Sequence, residues 1–251
     1  SSNIMVERPI HRLVDGRPRP ETDELADESI ITIICQGEIV VRLLASPTDL
    51  ADLAYGHIIC EGRGSIDSVS VNGHEIEISG DVKNRPTEDL LTAACGACTT
   101  GDIESPSDTV PRTIILDADI GDMNQKMKHN QPLFSSTGGV HAAAVFNQSG
   151  DLLLLREDIG RHNAFDKAIG SSIRNNLDAK ILFLSGRIGW ELVAKGVRAG
   201  VELIIGVGAI SSAAESLARS SGITLIGFAS SKTPAVIGDL SRIIMKPSYT
   251  A

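Results

Sequence analysis

The sequence predicts an α/β protein in which a three-layer α/β/α domain follows a smaller amino-terminal α+β domain. Short β-type runs with a single helix dominate the first hundred residues, whereas helices and strands alternate regularly in the second half. Strands that alternate with helices of this length indicate a largely parallel sheet covered on both faces. We therefore expect a small domain with a loop over residues 1–107 and the α/β domain over residues 108–251.

The amino-terminal half contains two pairs of β-type runs, each joined by a Gly-containing turn, and this pattern predicts hairpins of a small sheet. A helix is expected between the pairs, with Ser46 as its N-cap, Pro47 at its first position and Gly62 at its end. The four predicted strands cover residues 30–35, 38–44, 69–71 and 75–78. A short helix is also expected near residues 88–94.

The second half begins with a helix and a hairpin and continues with three repeats of helix and strand. Helices are expected near residues 122–129, 162–175, 190–199 and 211–220. Strands are expected near residues 140–146, 152–155, 181–184, 201–205 and 223–228.

This order of elements resembles the cytidine-deaminase-like fold. Its enzymes bind zinc through a histidine or cysteine at the start of the second helix and a Pro-Cys-x-x-Cys at the start of the third, and a glutamate in a His-x-Glu carries the proton. The corresponding helices here begin with GRHNAFDK and SGRIGWELV, which lack those ligands. We therefore expect the cytidine-deaminase-like three-layer arrangement without its zinc site.

The net charge of −9 argues against general binding to nucleic acids or anionic membranes, because both require a basic surface. The chain contains no uninterrupted apolar run of about 18 residues and no secretory signal pattern. We expect a cytoplasmic protein whose partners are small ligands and other proteins.

Two of the four cysteines, Cys95 and Cys98, form a Cys-x-x-Cys pair among Gly, Ala and Thr residues. A structural zinc ion needs four ligands, but Cys35 and Cys60 are isolated in a predicted strand and helix and are expected in the core. A thioredoxin-type redox pair requires a helix start after a strand, which is missing here. Two inert thiols are the alternative, but a mobile nucleophilic thiol in a loop fits these small neighbours better.

Three further segments carry polar residues suited to an anionic ligand. The segment FSSTGGVHAAAVF holds Thr137, Gly138 and Gly139, whose backbone amides could bind an anion, and is followed by His141. The segment SGR places Ser185 and Arg187 between a strand and a helix.

The densest polar segment is REDIGRHNAFDKAIG, at the carboxyl end of a predicted strand, where open α/β sheets usually bind ligands. The alternative interpretation is a capped helix with internal ion pairs. Its candidate residues are Asp158, Gly160, Arg161, His162, Asn163, Asp166 and Lys167.

The sequence resembles the FdhD family of formate dehydrogenase accessory sulfurtransferases, because five segments stand in the order found in that family. These segments are CGAC, STGGVHAAAVF, REDIGRHNAFDKAIG, SGRIGWELVAKGVRAG and GITLIGF. The segment ASPTDLADLAYGHIICEG in the amino-terminal half also resembles that family. The resemblance covers residues 28 to 228. It implies a carrier that accepts persulfide sulfur from a cysteine desulfurase on Cys95, with Cys98 in a supporting role. The sulfur would then pass to the molybdenum or tungsten bis-pterin guanine dinucleotide cofactor of formate dehydrogenase.

The resemblance also implies a cleft for the guanine nucleotide ends of that cofactor and a symmetric homodimer. The cleft would be formed by Thr137, Gly138, Gly139, His141, Asp158, Gly160, Arg161, His162, Asn163, Asp166, Lys167, Ser185, Arg187, Gly227 and Phe228. The chain departs from the family pattern at Thr99, which is expected to stiffen the cysteine loop. It also departs at Ile210, Ser211 and Ser230, which bear on nucleotide affinity and specificity. A cofactor-binding maturation chaperone without sulfur transfer is the alternative function.

Overall fold

The computed structural model describes residues 5–83 and 105–244 and shows a mixed α/β fold with three sheets in these ranges. Within them, no helix is both long and apolar enough to cross a membrane. The predicted helix near residues 88–94 lies outside the described residues.

The chain begins with a two-stranded antiparallel ribbon that the sequence analysis did not anticipate. Strand β1 (Met5–Val14) pairs along its whole length with β2 (Arg17–Ala26). Asp15 and Gly16 connect them with φ values of 50° and 75°, as a two-residue hairpin turn requires. We call residues 5–26 the amino-terminal ribbon.

A four-stranded sheet follows, with its strands in the order β4-β3-β6-β5. The predicted strands and turns of this region are confirmed. Helix α1 (Leu50–Cys60) shares a core with β3, β4 and β6, which includes Ile31, Ile33 and Leu53. The strands are β3 (Ser29–Cys35), β4 (Glu38–Ala45), β5 (Ser68–Asn72) and β6 (Glu75–Ser79).

The predicted start of α1 was wrong, because the helix begins at Leu50 after Asp49, which has a φ of 48°. Ser46 is not the N-cap. Its backbone N–H donates to Asp158 Oδ2 at 3.0 Å, and its hydroxyl accepts the backbone N–H of Ile159 at 2.9 Å. Ser46 therefore joins the two halves of the chain instead of capping a helix.

The six-stranded sheet has the order β12-β11-β10-β9-β7-β8. Strands β9, β10 and β11 are parallel to one another, whereas β7 is antiparallel to β8 and β9. The strands are β7 (His141–Phe146), β8 (Leu152–Asp158), β9 (Ile181–Leu184), β10 (Leu203–Gly206), β11 (Thr224–Gly227) and β12 (Ala235–Ile237).

The helices of this half are α2 (Ile120–Lys128), α3 (Pro132–Thr137), α4 (Arg161–Arg174), α5 (Trp190–Ala199) and α6 (Ser212–Ser221), and a 3-10 helix follows at Leu240–Arg242. The four helices predicted from the sequence begin and end within two residues of α2, α4, α5 and α6. Helix α3, strand β12 and the 3-10 helix were not predicted.

Helices α4, α5 and α6 pack on one face of the six-stranded sheet and α2 packs on the other. Leu182 and Leu184 of β9 share a core with α4–α6, and the alternate residues Ile181 and Phe183 share a second core with α2. This alternation is the period expected of a strand buried on both faces.

The two halves of the chain contact each other where α1 crosses α4. The backbones of these helices approach so closely that only glycine fits at the crossing. A Cβ atom on Gly56 would lie 1.6 Å from the backbone oxygen of Asp166, and one on Gly170 would lie 1.8 Å from that of Asp52. The Asp52 carboxylate also accepts hydrogen bonds from Arg156 at 2.8 Å and from Arg174 at 2.6 Å. The division of the chain at residue 107 stays a prediction.

Candidate functional site

The carboxyl ends of β8, β9, β10 and β11 lie at one edge of the six-stranded sheet, together with the amino end of β7. We call this end of the strands the carboxyl edge. The segments that lie there are residues 137–141, 158–163, 185–191, 207–211 and 227–230. Ligands of open α/β sheets usually bind in this position. The candidate residues of the sequence analysis in these segments are therefore brought to one end of the fold.

Three strand-to-helix loops are stacked at the carboxyl edge by backbone hydrogen bonds. The Gly208 N–H donates to Gly186 O, and the Phe228 N–H donates to Gly208 O, both at 3.0 Å. A Cβ atom on Gly208 would approach Arg187 Cγ to 2.9 Å, and one on Gly227 would approach Ile210 to the same distance. The backbone of this edge is thus tightly defined, and its chemistry depends on the side chains that project from it.

His141 and Ser185 lie side by side at the centre of the edge. The Ser185 hydroxyl accepts the backbone N–H of Ala142 at 2.9 Å and lies 3.4 Å from His141 Nδ1. Burial lowers the pKa of His141, and the nearby cations Arg161 and Arg187 lower it further, although Asp158 acts in the opposite direction. His141 is therefore a neutral imidazole at pH 7, and both arginines lie close enough to influence it.

A second histidine at the edge is paired with a residue that the sequence analysis missed. His162 Nε2 lies 3.2 Å from Glu191 Oε2, which links the first turns of α4 and α5. Burial lowers the pKa of His162 to about 3, and Lys195 and Arg161 contribute to this shift. Burial also raises the pKa of Glu191. An acidic residue in a first helical turn is common, so nothing in the sequence distinguished Glu191.

Three predicted pocket residues are buried beneath the edge, and their polar groups contact protein atoms. Asp158 and Lys167 form a fully buried ion pair of 2.7 Å, and Asp158 also accepts the Gly160 N–H. Lys167 donates to Ser46 O, and Asn163 donates to Leu44 O at 2.7 Å. These contacts agree with the alternative of a helix with internal ion pairs, and the three residues support the edge from below.

Asp166, another predicted pocket residue, is also buried and belongs to a charged cluster between α1, α4 and α5. Lys195 donates to both of its carboxylate oxygens, at 2.9 and 3.0 Å, and lies 2.8 Å from Glu61. Cys60 adjoins this cluster, and burial raises the pKa of its thiol. Cys35 and Cys60 are both buried, so their predicted place in the core is confirmed.

Two of the three amides that were expected to bind an anion, those of Gly138 and Gly139, donate to groups within the protein. The Gly138 N–H donates to Phe134 O at the end of α3, and the Gly139 N–H donates to Thr137 Oγ1. Gly138 has a φ of 64° and ends that helix. The segment forms a helix end instead of an open turn, and a role of these three residues in cofactor binding stays a prediction.

Two arginines and a phenylalanine are among the accessible groups at the edge. Arg187 is exposed and Arg161 is half-buried. Phe228 is 47% exposed and has a φ of 54°, an unusual backbone conformation for a bulky residue. Helices α4 and α5 begin here at Gly160 and Gly189, neither of which supplies a side-chain cap. Uncapped helix starts and arginines both favour an anion.

Cys95, Cys98 and Thr99 lie outside the described residues, so the structure does not place the cysteine pair. Within residues 5–83 and 105–244, no group of three or more His, Cys, Asp or Glu side chains is arranged to hold a metal ion.

The fold and the carboxyl edge define an α/β protein with a cationic edge at the ends of its parallel strands. The family model of the FdhD/NarQ family matches residues 26–244. The chain therefore belongs to the FdhD/NarQ family.

Among the similar proteins, one from Sulfurisphaera tokodaii named sulfur carrier protein FdhD is 34% identical over 228 residues, covering 83% of this chain and 87% of the relative. A protein of the same name from Streptomyces coelicolor is 30% identical over 269 residues, covering 95% of each chain. A crystal structure from Desulfotalea psychrophila, described provisionally as a formate dehydrogenase accessory protein, has a TM-score of 0.78 at 21% identity and covers 96% of this chain and 100% of its own. That last likeness establishes the fold.

Proposed function

We propose that this protein is a sulfur carrier in the maturation of formate dehydrogenase, and that it transfers persulfide sulfur from a cysteine desulfurase to a molybdenum or tungsten bis-pterin guanine dinucleotide cofactor. The observation that carries the proposal is the similarity to proteins named sulfur carrier protein FdhD, at 30% to 34% identity over 83% to 97% of the chain. The Cys-x-x-Cys pair supplies the thiols that such a role requires.

Sulfur loading on Cys95 is a thiol exchange. The Cys95 thiolate attacks the terminal sulfur of the donor persulfide, the donor S–S bond breaks, and the donor cysteine leaves as a thiolate. Cys95 then holds the persulfide, so the step needs no added oxidant or reductant. Cys98 assists as a neighbouring thiol, since only Gly96 and Ala97 separate the two cysteines.

The cofactor is the substrate in this proposal, and the carboxyl edge is its binding site. Arg161, Arg187 and the uncapped starts of α4 and α5 favour its phosphates. The exposed ring of Phe228 offers a face for stacking on a base. Asp158, Asn163, Asp166 and Lys167 act indirectly in this arrangement, because their polar atoms contact protein groups that fix the position of α4.

The first test is intact-protein mass spectrometry after incubation with a cysteine desulfurase and cysteine. We expect one added sulfur atom on the wild type that a reductant removes, and no addition on Cys95→Ala. Cys98→Ala is the matched control for the loss of a thiol from the same segment. Absence of sulfur on the wild type, with a desulfurase that loads another acceptor, would favour the cofactor-binding chaperone.

The second test separates ligand binding from sulfur loading by calorimetric titration with GDP. Arg187→Ala removes an exposed guanidinium from the edge and is expected to weaken GDP binding at least about tenfold, as loss of a charge-assisted hydrogen bond does. Arg219→Ala removes an arginine from the far end of α6 and should leave the affinity unchanged. Equal affinity in the wild type and Arg187→Ala would place the nucleotide elsewhere, whatever the sulfur-loading result.

The proposal places the protein in the cytoplasm, as a homodimer that meets both a desulfurase and formate dehydrogenase. It also includes a cytidine-deaminase-like arrangement for the larger sheet. The order of a helix, an antiparallel hairpin and three parallel strands joined by helices supports this assignment.

A further inference from the structure

Glu191 is an acidic group in a part of the structure that otherwise favours anions. It lies in the first turn of α5 at the carboxyl edge, and its side chain is 27% exposed. Arg161 is near enough to act on its carboxylate, and Arg187 belongs to the same strand-to-helix segment. A carboxylate repels the phosphates that this edge is proposed to bind. Its presence there therefore requires a partner other than a phosphate.

Stabilisation of the helix alone does not account for Glu191. An acidic residue in a first turn interacts favourably with the helix dipole, and Glu215 of α6 does so while it also forms an ion pair with Arg219, four residues further on. In α5 the cation at the same spacing is Lys195, whose Nζ donates to both carboxylate oxygens of Asp166, at 2.9 and 3.0 Å. Within the described residues, Glu191 thus lacks the ion pair that Glu215 has.

The carboxylate of Glu191 is held from one side. His162 Nε2 lies 3.2 Å from its Oε2. Burial lowers the pKa of His162 to about 3, so the imidazole is neutral at pH 7 and Nε2 carries the proton that is donated to the carboxylate. Within residues 5–83 and 105–244, Oε1 forms no hydrogen bond or ion pair. The carboxylate therefore has a fixed position and keeps acceptor sites on both oxygens.

Acceptor sites of this kind match a ring that carries two neighbouring N–H donors. A carboxylate binds two parallel N–H groups in one plane strongly, as it does in its pair with a guanidinium group. The 2-amino-4-oxopyrimidine ring of guanine has a ring N–H beside an amino group, and the pterin ring contains the same unit. Both rings are parts of the proposed cofactor.

We propose that Glu191 selects ligands with a 2-amino-4-oxopyrimidine ring, by accepting the ring N–H and the amino group on its carboxylate. His162 is a positioning residue, because its hydrogen bond fixes that carboxylate. Arg187 lies on the same segment and remains available for a phosphate of the same ligand. The inference rests on the proposed function, which supplies the ligand, and adds the group that recognises its ring.

The preference is tested by calorimetric titration of the full chain with GDP and with IDP, whose hypoxanthine base lacks only the amino group. The wild type is expected to bind GDP at least about tenfold more tightly than IDP, because IDP forms one hydrogen bond fewer to a charged group. Glu191→Gln keeps a contact with His162 but presents an NH2 group in place of one acceptor oxygen, so most of this preference should be lost. Glu215→Gln is the matched control, since Glu215 is the acidic residue in the first turn of α6, and should leave the preference unchanged.

A second variant, Glu191→Asp, separates the position of the carboxylate from its charge. It retains the negative charge at the start of α5 but draws the carboxylate back by one methylene group, so it should lose the preference for GDP as well. It also tests the inference if Glu191→Gln does not fold. Circular dichroism and thermal melting establish which variants are folded.

The guanine and pterin rings are distinguished by a parallel fluorescence titration with pterin and with lumazine, which has an oxygen in place of the amino group. If Glu191→Gln abolishes a preference for GDP over IDP, Glu191 binds the guanine ring. If it abolishes a preference for pterin over lumazine instead, Glu191 binds the pterin ring. Either result supports the inference.

Unchanged ratios for both ligand pairs in the Glu191 variants, with GDP still bound, would overturn the inference and leave Glu191 as a structural partner of His162. Equal binding within each pair by the wild type would overturn it too. Both results leave the proposed function intact. A wild type that binds none of the four ligands would overturn the proposed binding site together with this inference, whereas sulfur loading on Cys95 is decided separately by mass spectrometry.

Discussion

At the scale of single residues, a buried ion pair between β8 and α4 connects the two halves of the chain. Asp158 and Lys167 are both fully buried, and each also bonds the backbone of Ser46. A buried ion pair contributes little net stability by itself, but removal of one partner leaves an uncompensated charge in the interior. These residues therefore fix the position of the start of α4 at the carboxyl edge.

We expect Lys167→Met to lower the free energy of unfolding by roughly 3–5 kcal/mol, because Asp158 would remain buried without its cation. Urea denaturation measures the change. Lys128→Met removes an exposed lysine of α2 and should stay within about 0.5 kcal/mol of the wild type. If Asp158→Asn in the Lys167→Met background recovers none of the loss, the buried charge is not its cause.

The buried imidazole of His162 makes stability depend on pH. Its pKa in the folded state is about 3, well below the ordinary value of 6.5, so the unfolded chain takes up a proton first as the pH falls. Its contribution is complete above about pH 6.5 and is lost as the pH falls towards 3. Between about pH 7 and pH 5, the wild type should lose about 1–2 kcal/mol more unfolding free energy than His162→Gln. Urea denaturation at each pH measures the unfolding free energies, and an equal change with pH in the two proteins would contradict this expectation.

At the scale of elements, the crossing of α1 and α4 depends on glycine at the contact. We expect Gly56→Ala to be strongly destabilising, because its methyl group would overlap the Asp166 carbonyl and the helices would have to separate. Thermal melting measures the effect. Gly139→Ala is the matched control, since its Cβ would meet ordinary contacts of 3.7 Å or more. A melting temperature for Gly56→Ala equal to that of the control would show that the crossing tolerates a wider spacing.

The elements that were predicted correctly are those with a clear apolar period and glycine-containing turns, such as β3, β4 and the alternation from α4 to β11. The amino-terminal ribbon was missed because charged residues and prolines replace the apolar alternation of an ordinary strand. The start of α1 was misplaced because the Ser46 hydroxyl bonds Ile159, a residue 113 positions away. No local pattern contains such a contact.

The same limit applies to the candidate site. The sequence located the segments of the carboxyl edge, because a strand followed by a polar helix start is a local signal. It could not distinguish Arg187, which is exposed, from Asp158, which is fully buried, since burial depends on how distant elements pack. Glu191 was missed for the same reason, because its contact with His162 joins two helices.

At the scale of the whole molecule, the two larger sheets are joined by buried polar contacts that neither part satisfies alone. Asn163 donates to Leu44 O, and Asp52 accepts from Arg156 and Arg174. Separation of the halves would leave these groups without partners. We therefore expect the two halves to unfold as one cooperative unit, although the two larger sheets have separate connectivity.

We expect chemical denaturation of the full chain to give a single transition. Fluorescence of Trp190 in α5, the only tryptophan, reports on the larger sheet, and far-ultraviolet circular dichroism reports on both. The two midpoints should coincide. Distinct midpoints, or a stable folded fragment of residues 105–251, would show that the halves fold independently.

The stacked loops of the carboxyl edge also have a consequence for how such a site changes during evolution. Their path is set by backbone hydrogen bonds from Gly208 and Phe228 and by glycines that exclude side chains. Ala209 and Ser230 are exposed neighbours of these loops, so we expect substitutions there to leave that path intact. If this edge binds the ligand as proposed, its exposed side chains can change ligand preference without a change in the backbone that supports them.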